Sequence, residues 1–140
     1  MKTINRLKHA RRGTAVVEAA VMAPLVVTAM FGMIEVGYSF MIRQTVTLAS
    51  REGCRAAAMP GGTMADVNAA VDETMEGPGL TGYTVTSNLS ELSGTDTDVW
   101  VKVSIPFNRA SFTGSLLGGG SFAIASETHM RREGVDDNGG

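Results

Sequence analysis

The residue types on which most enzymes rely are scarce in this chain. Its 140 residues include one cysteine, Cys54, and two histidines, His9 and His129. A single cysteine excludes an internal disulfide framework, and the sequence contains neither a CxxC motif nor a glycine-rich phosphate loop leading into an apolar helix. No nucleophile stands near a base, and no metal ligands cluster. We therefore expect a protein that is not an enzyme and that uses no cofactor or metal.

Acidic residues are missing from the first 13 residues, whereas five of these residues are Lys or Arg. The rest of the chain carries seven Lys/Arg against fourteen Asp/Glu. A basic segment ahead of an apolar helix stays in the cytoplasm, so the acidic remainder is expected on the outer side. Because the only basic patch is this leader, residues 1–13, the charge distribution argues against nucleic-acid binding.

A membrane-length apolar segment, residues 14–35, follows the leader. No charge occurs from Ala19 through Ile34, and a helix from Thr14 to Ile34 rises about 31 Å, close to the ~30 Å of a hydrocarbon core. We expect Glu35 to reach the outer interface and Glu18 to lie inside the span. Pro24 removes one backbone hydrogen bond and predicts a kink, which membrane helices tolerate.

Other N-terminal signals fit this segment less well. A secretory signal has an apolar core of roughly 7–15 residues and a small-residue cleavage site directly after it, but the first alanine-rich candidate here is residues 56–58. A lipoprotein signal needs an apolar lead-in to its cysteine, which residues 51–53 do not provide. The Arg11-Arg12 pair lacks the context of a twin-arginine export signal. A retained single-pass helix is favoured.

The junction between the leader and the apolar segment resembles the type IV pilin superfamily, in which a basic leader ends in glycine and glutamate is the fifth mature residue. More closely, it resembles the TadE-like pseudopilins of tight-adherence (Tad) secretion systems. The residues that carry the resemblance read RGTAVVEAAVMAP over residues 12–24 and GMIEVG over residues 32–37. Residues 122–133 are loosely similar to the closing strand of that family.

The resemblance implies a minor pseudopilin-like membrane subunit of a Tad-type secretion and Flp pilus assembly system. A prepilin peptidase would cut after Gly13, so that Thr14 becomes the N-terminus and Glu18 the fifth residue. The implied location is the bacterial inner (cytoplasmic) membrane, with the C-terminal domain periplasmic or extracellular. The implied partners are the peptidase, the Tad inner-membrane platform, sibling TadE-like or TadF-like pseudopilins and the Flp major pilin. We expect no nucleic acid and no small-molecule substrate.

Glu18 has two physical interpretations. A carboxylate inside hydrocarbon costs roughly 2.5–3.5 kcal/mol on insertion scales. Cleavage would place an α-ammonium on Thr14, four residues away and on the same helix face, and this cation in its own or a neighbouring chain would offset part of the cost and set the register between subunits. In the second interpretation, Glu18 is a tolerated polar residue that reaches the headgroups.

Residues 36–133 predict a pilin-like α+β domain. The helix is expected to continue to about Met59, where Pro60-Gly61-Gly62 stops it. Small and apolar residues at helical spacing predict a packing face, with Cys54 as a packing thiol rather than a reactive one. That face comprises Ile42, Val46, Ala49, Gly53 and Ala56. The opposite, solvent-facing side is predicted to carry Arg43, Gln44, Ser50, Arg51 and Arg55.

A second, shorter helix and about three antiparallel strands complete the predicted domain. Thr63 reads as an N-cap with Asp66 three residues later, and Gly77-Pro78-Gly79 ends the helix. Its residues Asp72, Glu73 and Glu76 favour a solvated face over a metal site. Strands are predicted at residues 83–86, at residues 99–105 with alternate valines on one face, and from Phe122 to Met130.

The segment at residues 108–121 reads as loop or short helix, in which Phe112, Leu116 and Leu117 are expected to anchor the core. The tail, residues 134–140, is expected to be disordered. Trp100 lies on the outward face of its strand, where it marks either a subunit contact or packing under the 108–121 segment.

Two alternatives to the pseudopilin interpretation stay open. The chain could be an uncleaved single-pass anchor that displays a small extracytoplasmic binding domain. It could also be an exported soluble protein that leaves the membrane on cleavage.

Overall fold

The structure is a computed structural model and describes residues 2–92, 96–111 and 122–134, with side chains from residue 13 onward. The chain divides into two compact units, with the boundary in the sequence between Val36 and Gly37. The predicted α+β class is confirmed, because a long N-terminal helix is followed by a short helix and a three-stranded antiparallel sheet. In chain order the elements are α1 Lys2–Ala58, α2 Met64–Glu76, β1 Thr84–Ser87, β2 Asp98–Pro106, α3 Phe107–Ala110 and β3 Ala123–Arg131.

The sheet has the order β1-β2-β3, and both neighbouring pairs are antiparallel. Val101, at the middle of the sheet, lies opposite Ser87 on β1 and Thr128 on β3. Successive strand residues point to opposite faces, so the alternate positions 99, 101, 103 and 105 share the inner face. All four are fully buried, and β2 extends from Asp98 to Pro106, one residue beyond each end of the predicted strand.

The part of α1 that follows Val36 supplies the other side of the core. Ile42, Val46 and Ala49 are fully buried, and Gly53 is buried, which confirms four positions of the predicted packing face. Gly53 lies between α2 and β2, because an added Cβ would stand 2.8 Å from Val71 Cγ2 and 3.3 Å from Val101 Cγ1. The close approach of three elements at this point requires a residue without a side chain.

The prediction that Ser50 faces solvent is wrong. Its side chain is fully buried, and its hydroxyl lies 2.8 Å from Thr128 Oγ1 and 3.2 Å from Ser126 Oγ while donating to the Thr47 carbonyl at 3.0 Å. Ser50 stands four residues after Val46 and four before Cys54, so it belongs to the buried face by helical spacing. A polar side chain is tolerated there because strand hydroxyls satisfy it.

Both ends of the short helix α2 follow the predicted signals. Thr63 Oγ1 accepts from the Asp66 amide at 3.3 Å, and Asp66 Oδ2 accepts from the Thr63 amide at 2.9 Å, which completes a capping box. The Thr63 hydroxyl also donates to Asp66 Oδ2 at 2.6 Å, and this hydrogen bond, together with the one from the Thr63 amide, lowers the pKa of Asp66. The helix ends at Glu76 with Gly77 as its C-cap, and Val67, Val71 and Met75 are buried.

Removing the cap at Thr63 gives a first testable expectation. We expect Thr63→Ala to lower the free energy of unfolding by about 0.5–2 kcal/mol, because the Asp66 amide loses its acceptor. Unfolding of the detergent-solubilised chain is followed by the fluorescence of its single tryptophan, Trp100. Thr81→Ala, at an exposed threonine outside any helix or strand, is the control. Equal stabilities of the two variants would contradict the capping role.

The chain segment after β2 differs in detail from the prediction. Phe107–Ala110 forms the short helix α3, and the Phe107 ring stacks on Phe122 with centroids 4.3 Å apart. The last strand was predicted from Phe122 to Met130, and in the structure it extends from Ala123 to Arg131. Phe112, Leu116 and Leu117, predicted to anchor the core, lie outside the described residues, as do residues 135–140 of the predicted disordered tail.

Candidate functional site

The residues that the resemblance assigns to processing and register lie in α1, among the first residues whose side chains the structure describes. Gly13, Thr14 and Glu18 are all helical and exposed. Thr14 and Glu18 are four residues apart, so they share a helix face and are separated by about 6 Å along the axis. An added Cβ at Gly13 would meet nothing within 4 Å. The structure therefore places Glu18 on the face where a Thr14 ammonium would lie, and the pairing itself stays a prediction.

The helix surface around Glu18 is apolar and uncovered. Val17 and Val21 are 64% and 62% exposed, and the most apolar stretch of this helix has a mean hydropathy of 1.9 with none of it buried within the fold. An uncovered apolar surface of this length requires lipid or other helices around it. Within the described residues, this helix has the length and composition of a single membrane span.

Pro24 lies inside α1 without ending it. Proline has no amide hydrogen, so the carbonyl of Ala20, four residues earlier, loses its usual helical donor. The Thr28 hydroxyl donates a hydrogen bond to the Pro24 carbonyl at 2.8 Å. This bond satisfies the hydroxyl within the helix, where surrounding lipid would offer it no acceptor. The helix continues through this residue, and the kink predicted at Pro24 stays a prediction.

The acidic residues of α2 are exposed, as a solvated face predicts. Asp72 accepts a hydrogen bond from the Tyr83 hydroxyl at 2.5 Å, and Glu73 and Glu76 face solvent. Burial of the ring and the adjacent Asp72 carboxylate raise the pKa of Tyr83 to about 12. In the part of the chain that the structure describes, no three His, Cys, Asp or Glu side chains are arranged to hold a metal ion.

Cys54 is a packing thiol, as predicted. Its side chain is fully buried and donates to the Val99 carbonyl at 3.4 Å and to the Thr128 carbonyl at 3.3 Å. Burial raises the pKa of this thiol above its ordinary value. Since the thiolate is the reactive form, Cys54 should be protected from alkylation for as long as the domain is folded.

The outward face of β2 and β3 carries a charged cluster that the sequence analysis missed. His129 Nδ1 lies 3.2 Å from Asp98 Oδ2, and His129 Nε2 lies 3.2 Å from Glu127 Oε1. Lys102 Nζ lies 3.4 Å from the other oxygen of Glu127. Lys102 on β2 lies directly opposite Glu127 on β3 in the strand register, which brings these charges together. The cluster could not be recognised from the sequence, because the register is not known there. Trp100, half-buried opposite His129, keeps both of its predicted roles open.

The cluster predicts a small pH dependence of stability. Hydrogen bonds to Asp98, which has the larger effect, and to Glu127 raise the pKa of His129 above its ordinary 6.5. Its contribution to folding is therefore complete below pH 6.5 and is lost as the pH rises through the raised pKa. We expect the unfolding midpoint of the native chain to fall over this window and the fall to be smaller in His129→Gln. Equal pH profiles for the two chains would contradict this expectation. Both chains contain His9, so a difference between their profiles is due to His129.

The family model described as TadE-like protein matches residues 13–55. The match covers the candidate junction, the apolar segment and the predicted packing face of α1 except Ala56, so the resemblance is confirmed over this range. It associates the chain with Tad pilus systems and with a membrane. No curated protein and no solved structure matches the chain.

Proposed function

We propose that this chain is a minor pseudopilin-like subunit of a Tad-type secretion and Flp pilus assembly system, with a structural rather than a catalytic role. The observation that carries the proposal is the exposed Glu18 one helical turn from Thr14, on an otherwise apolar and uncovered helix. The match of residues 13–55 to the TadE-like family supports the Tad context. The proposed membrane is the bacterial inner membrane, with the domain that follows on its outer side.

In this proposal, a prepilin peptidase cuts after Gly13 and leaves the α-ammonium of Thr14 beside the apolar segment. The helix then packs among those of the platform, of sibling pseudopilins and of the Flp major pilin. In that apolar environment the Thr14 ammonium is the nearest cation available to Glu18, in its own chain or in a neighbour. Their attraction is strong only when the two charges lie at the same depth in the membrane, so it fixes the position of the subunit along the helix axis relative to its neighbours.

Intact-mass measurement of the chain from bacterial membranes tests the processing step. With an active peptidase we expect a chain that begins at Thr14, and without it a chain that keeps residues 1–13. Gly13→Leu should keep the leader even with the active peptidase. Gly32→Leu is the matched control, because an added Cβ meets nothing within 4 Å at either glycine, and this variant should be processed normally.

Two outcomes would replace the proposal. A native chain that keeps its leader beside an active peptidase would favour the uncleaved anchor with a small binding domain. A cleaved chain that is recovered in the soluble fraction would favour an exported soluble protein.

A further inference from the structure

The outer part of α1 presents a surface that the domain leaves uncovered. Phe40 and Leu48 are 62% and 50% exposed, although both are large apolar side chains. They line one shallow groove together with two arginines, and we call this groove the arginine groove. Its lining residues are Phe40, Arg43, Gln44, Thr47, Leu48 and Arg51.

The arginine groove carries positive charge at the level of the sheet. Arg43 and Arg51 are exposed, and neither forms an ion pair among the described residues, whereas Arg55 pairs with Glu52 at 3.0 Å. Arg51 directly follows Ser50, whose hydroxyl contacts β3. The groove therefore extends along the part of α1 that packs on the sheet, where its apolar and cationic side chains fit a protein surface that is acidic and partly apolar.

Such a surface exists on the same chain, at the end of α2. The last turns of α2 contain Asp72, Glu73 and Glu76 and no basic residue. Carboxylates at a helix C-terminus are disfavoured by the helix dipole, so an external cation would relieve this arrangement. Asp72 and Glu76 line a pocket with Leu80 and Tyr83, which we call the acidic pocket.

One cation of the same domain approaches this pocket. Arg109 lies beside Gly82 at the pocket wall, 3.6 Å from the position of an added Cβ. It forms no ion pair with Asp72 or Glu76 within the described ranges. Because Asp72 already accepts a hydrogen bond from the Tyr83 hydroxyl, the exposed Glu76 is the carboxylate that an incoming guanidinium would reach first. An arginine is able to bind a carboxylate through two parallel hydrogen bonds.

We propose that the arginine groove of one copy of this chain binds the acidic pocket of a second copy. The two surfaces are complementary in charge. The groove adds the exposed apolar side chains of Phe40 and Leu48, and the pocket adds the partly exposed ring of Tyr83. They are different surfaces, so the contact is head-to-tail and leaves one groove and one pocket available for further copies. The contact involves only the outer domain and does not require cleavage after Gly13.

Cysteine cross-linking between two differently tagged full-length chains tests the contact in membranes. One chain carries Gln44→Cys, in the groove, and the other carries Glu73→Cys, beside the pocket. We expect a cross-linked pair for this combination and severalfold less for Gln44→Cys with Thr86→Cys, which places the second thiol on the outward face of β1. Native Cys54 is buried, so a pair of chains without added cysteines should not cross-link.

Charge reversal then separates this contact from other occupants of the groove. Arg51→Glu should reduce the cross-linked pair by roughly tenfold or more, since like charges across an interface cost several kcal/mol. Glu76→Arg in the partner chain should restore it. Protection of Cys54 from alkylation reports that each variant is folded.

Three results would overturn the proposal. The first is equal cross-linking of Glu73→Cys and Thr86→Cys, and the second is no cross-linking at all. The third is a loss with Arg51→Glu that Glu76→Arg does not restore, accompanied by weaker binding to vesicles of anionic lipid, because the groove would then serve a membrane surface. None of these results bears on the mass of the processed chain, so this contact and the proposed function fail independently.

Discussion

Gly53→Ala is expected to destabilise the α+β domain that follows Val36 by about 1–3 kcal/mol, even though alanine favours a helix more than glycine does. The added Cβ would stand 2.8 Å from Val71 Cγ2, with Val101 and Val67 at 3.3 and 3.4 Å. These valines are fully buried and belong to α2 and β2. Neither element can move away without opening the core elsewhere, and Gly53→Leu should unfold the domain more severely.

The matched control is Gly37→Ala in the same helix. An added Cβ at Gly37 meets nothing within 4 Å, so the variant should be unchanged or more stable by up to about 1 kcal/mol from helix propensity. Thermal unfolding monitored at Trp100 measures both, and each kcal/mol shifts the midpoint by about 4–8 °C in a domain of this size. Wild-type stability in Gly53→Ala would mean that the valine side chains can be displaced at little cost.

Under the function proposed above, Glu18→Ala should reduce incorporation of the processed chain into the Tad assembly by roughly 100-fold or more. Removing one member of a buried ion pair costs about 3–5 kcal/mol, because the other charge is left without compensation. Here the residual charge would be the Thr14 ammonium of the same or a neighbouring chain. Glu18→Gln should behave like Glu18→Ala, since the amide keeps the shape and loses the charge, and Glu18→Asp should retain part of the incorporation.

The control for Glu18 is a neighbour without charge. Val17 lies on the same turn and is 64% exposed, so Val17→Ala changes apolar contact area and leaves the proposed pair intact. Quantifying each chain in the purified assembly and in whole membranes separates a loss of incorporation from a loss of expression. If Glu18→Ala enters the assembly as readily as Val17→Ala, Glu18 is a tolerated polar residue and the register role is refuted.

The effects expected for Glu18→Ala and for Gly53→Ala have different physical origins, because the helix surface is uncovered at one residue and covered at the other. Around Glu18 the helix surface is uncovered, so the cost of a substitution depends on what surrounds the chain in the assembly. Around Gly53 the surface is fully covered by α2 and β2 of the same chain, so the cost is internal. Substitutions before Val36 should therefore affect assembly more than stability, whereas buried positions after Gly37 should affect stability first.

The local elements were readable from the sequence because each follows from neighbouring residues. The uncharged run ending at Ile34 has the length of a membrane span, and alternate valines in β2 predict a strand with one buried face. Thr63 and Asp66 stand three residues apart, so their capping box could be recognised without a partner element. The resemblance at residues 12–37 rests on local motifs in the same way and is matched by the TadE-like family over residues 13–55.

Contacts between distant residues depended on the tertiary structure. Ser50 is polar, so composition favoured solvent, yet helical spacing and the hydroxyls of Ser126 and Thr128 place it in the core. The ion pairs of His129 depend on the register between β2 and β3, which residue types alone do not specify. The arginine groove and the acidic pocket likewise needed the fold to show which charges remain uncovered.

The sequence alone established that one uncharged run has the length of a membrane span, because apolar side chains favour hydrocarbon over water. The orientation of this span rests on the charge of the leader and stays a prediction. Which side chains contact one another in the domain that follows Val36 was decided by the tertiary structure, because these contacts join residues up to 78 positions apart. The assignment as an assembling subunit depends on the Thr14 amine being free to meet an acid one turn along the helix. Detection of an intact leader on chains within the working assembly would remove that basis.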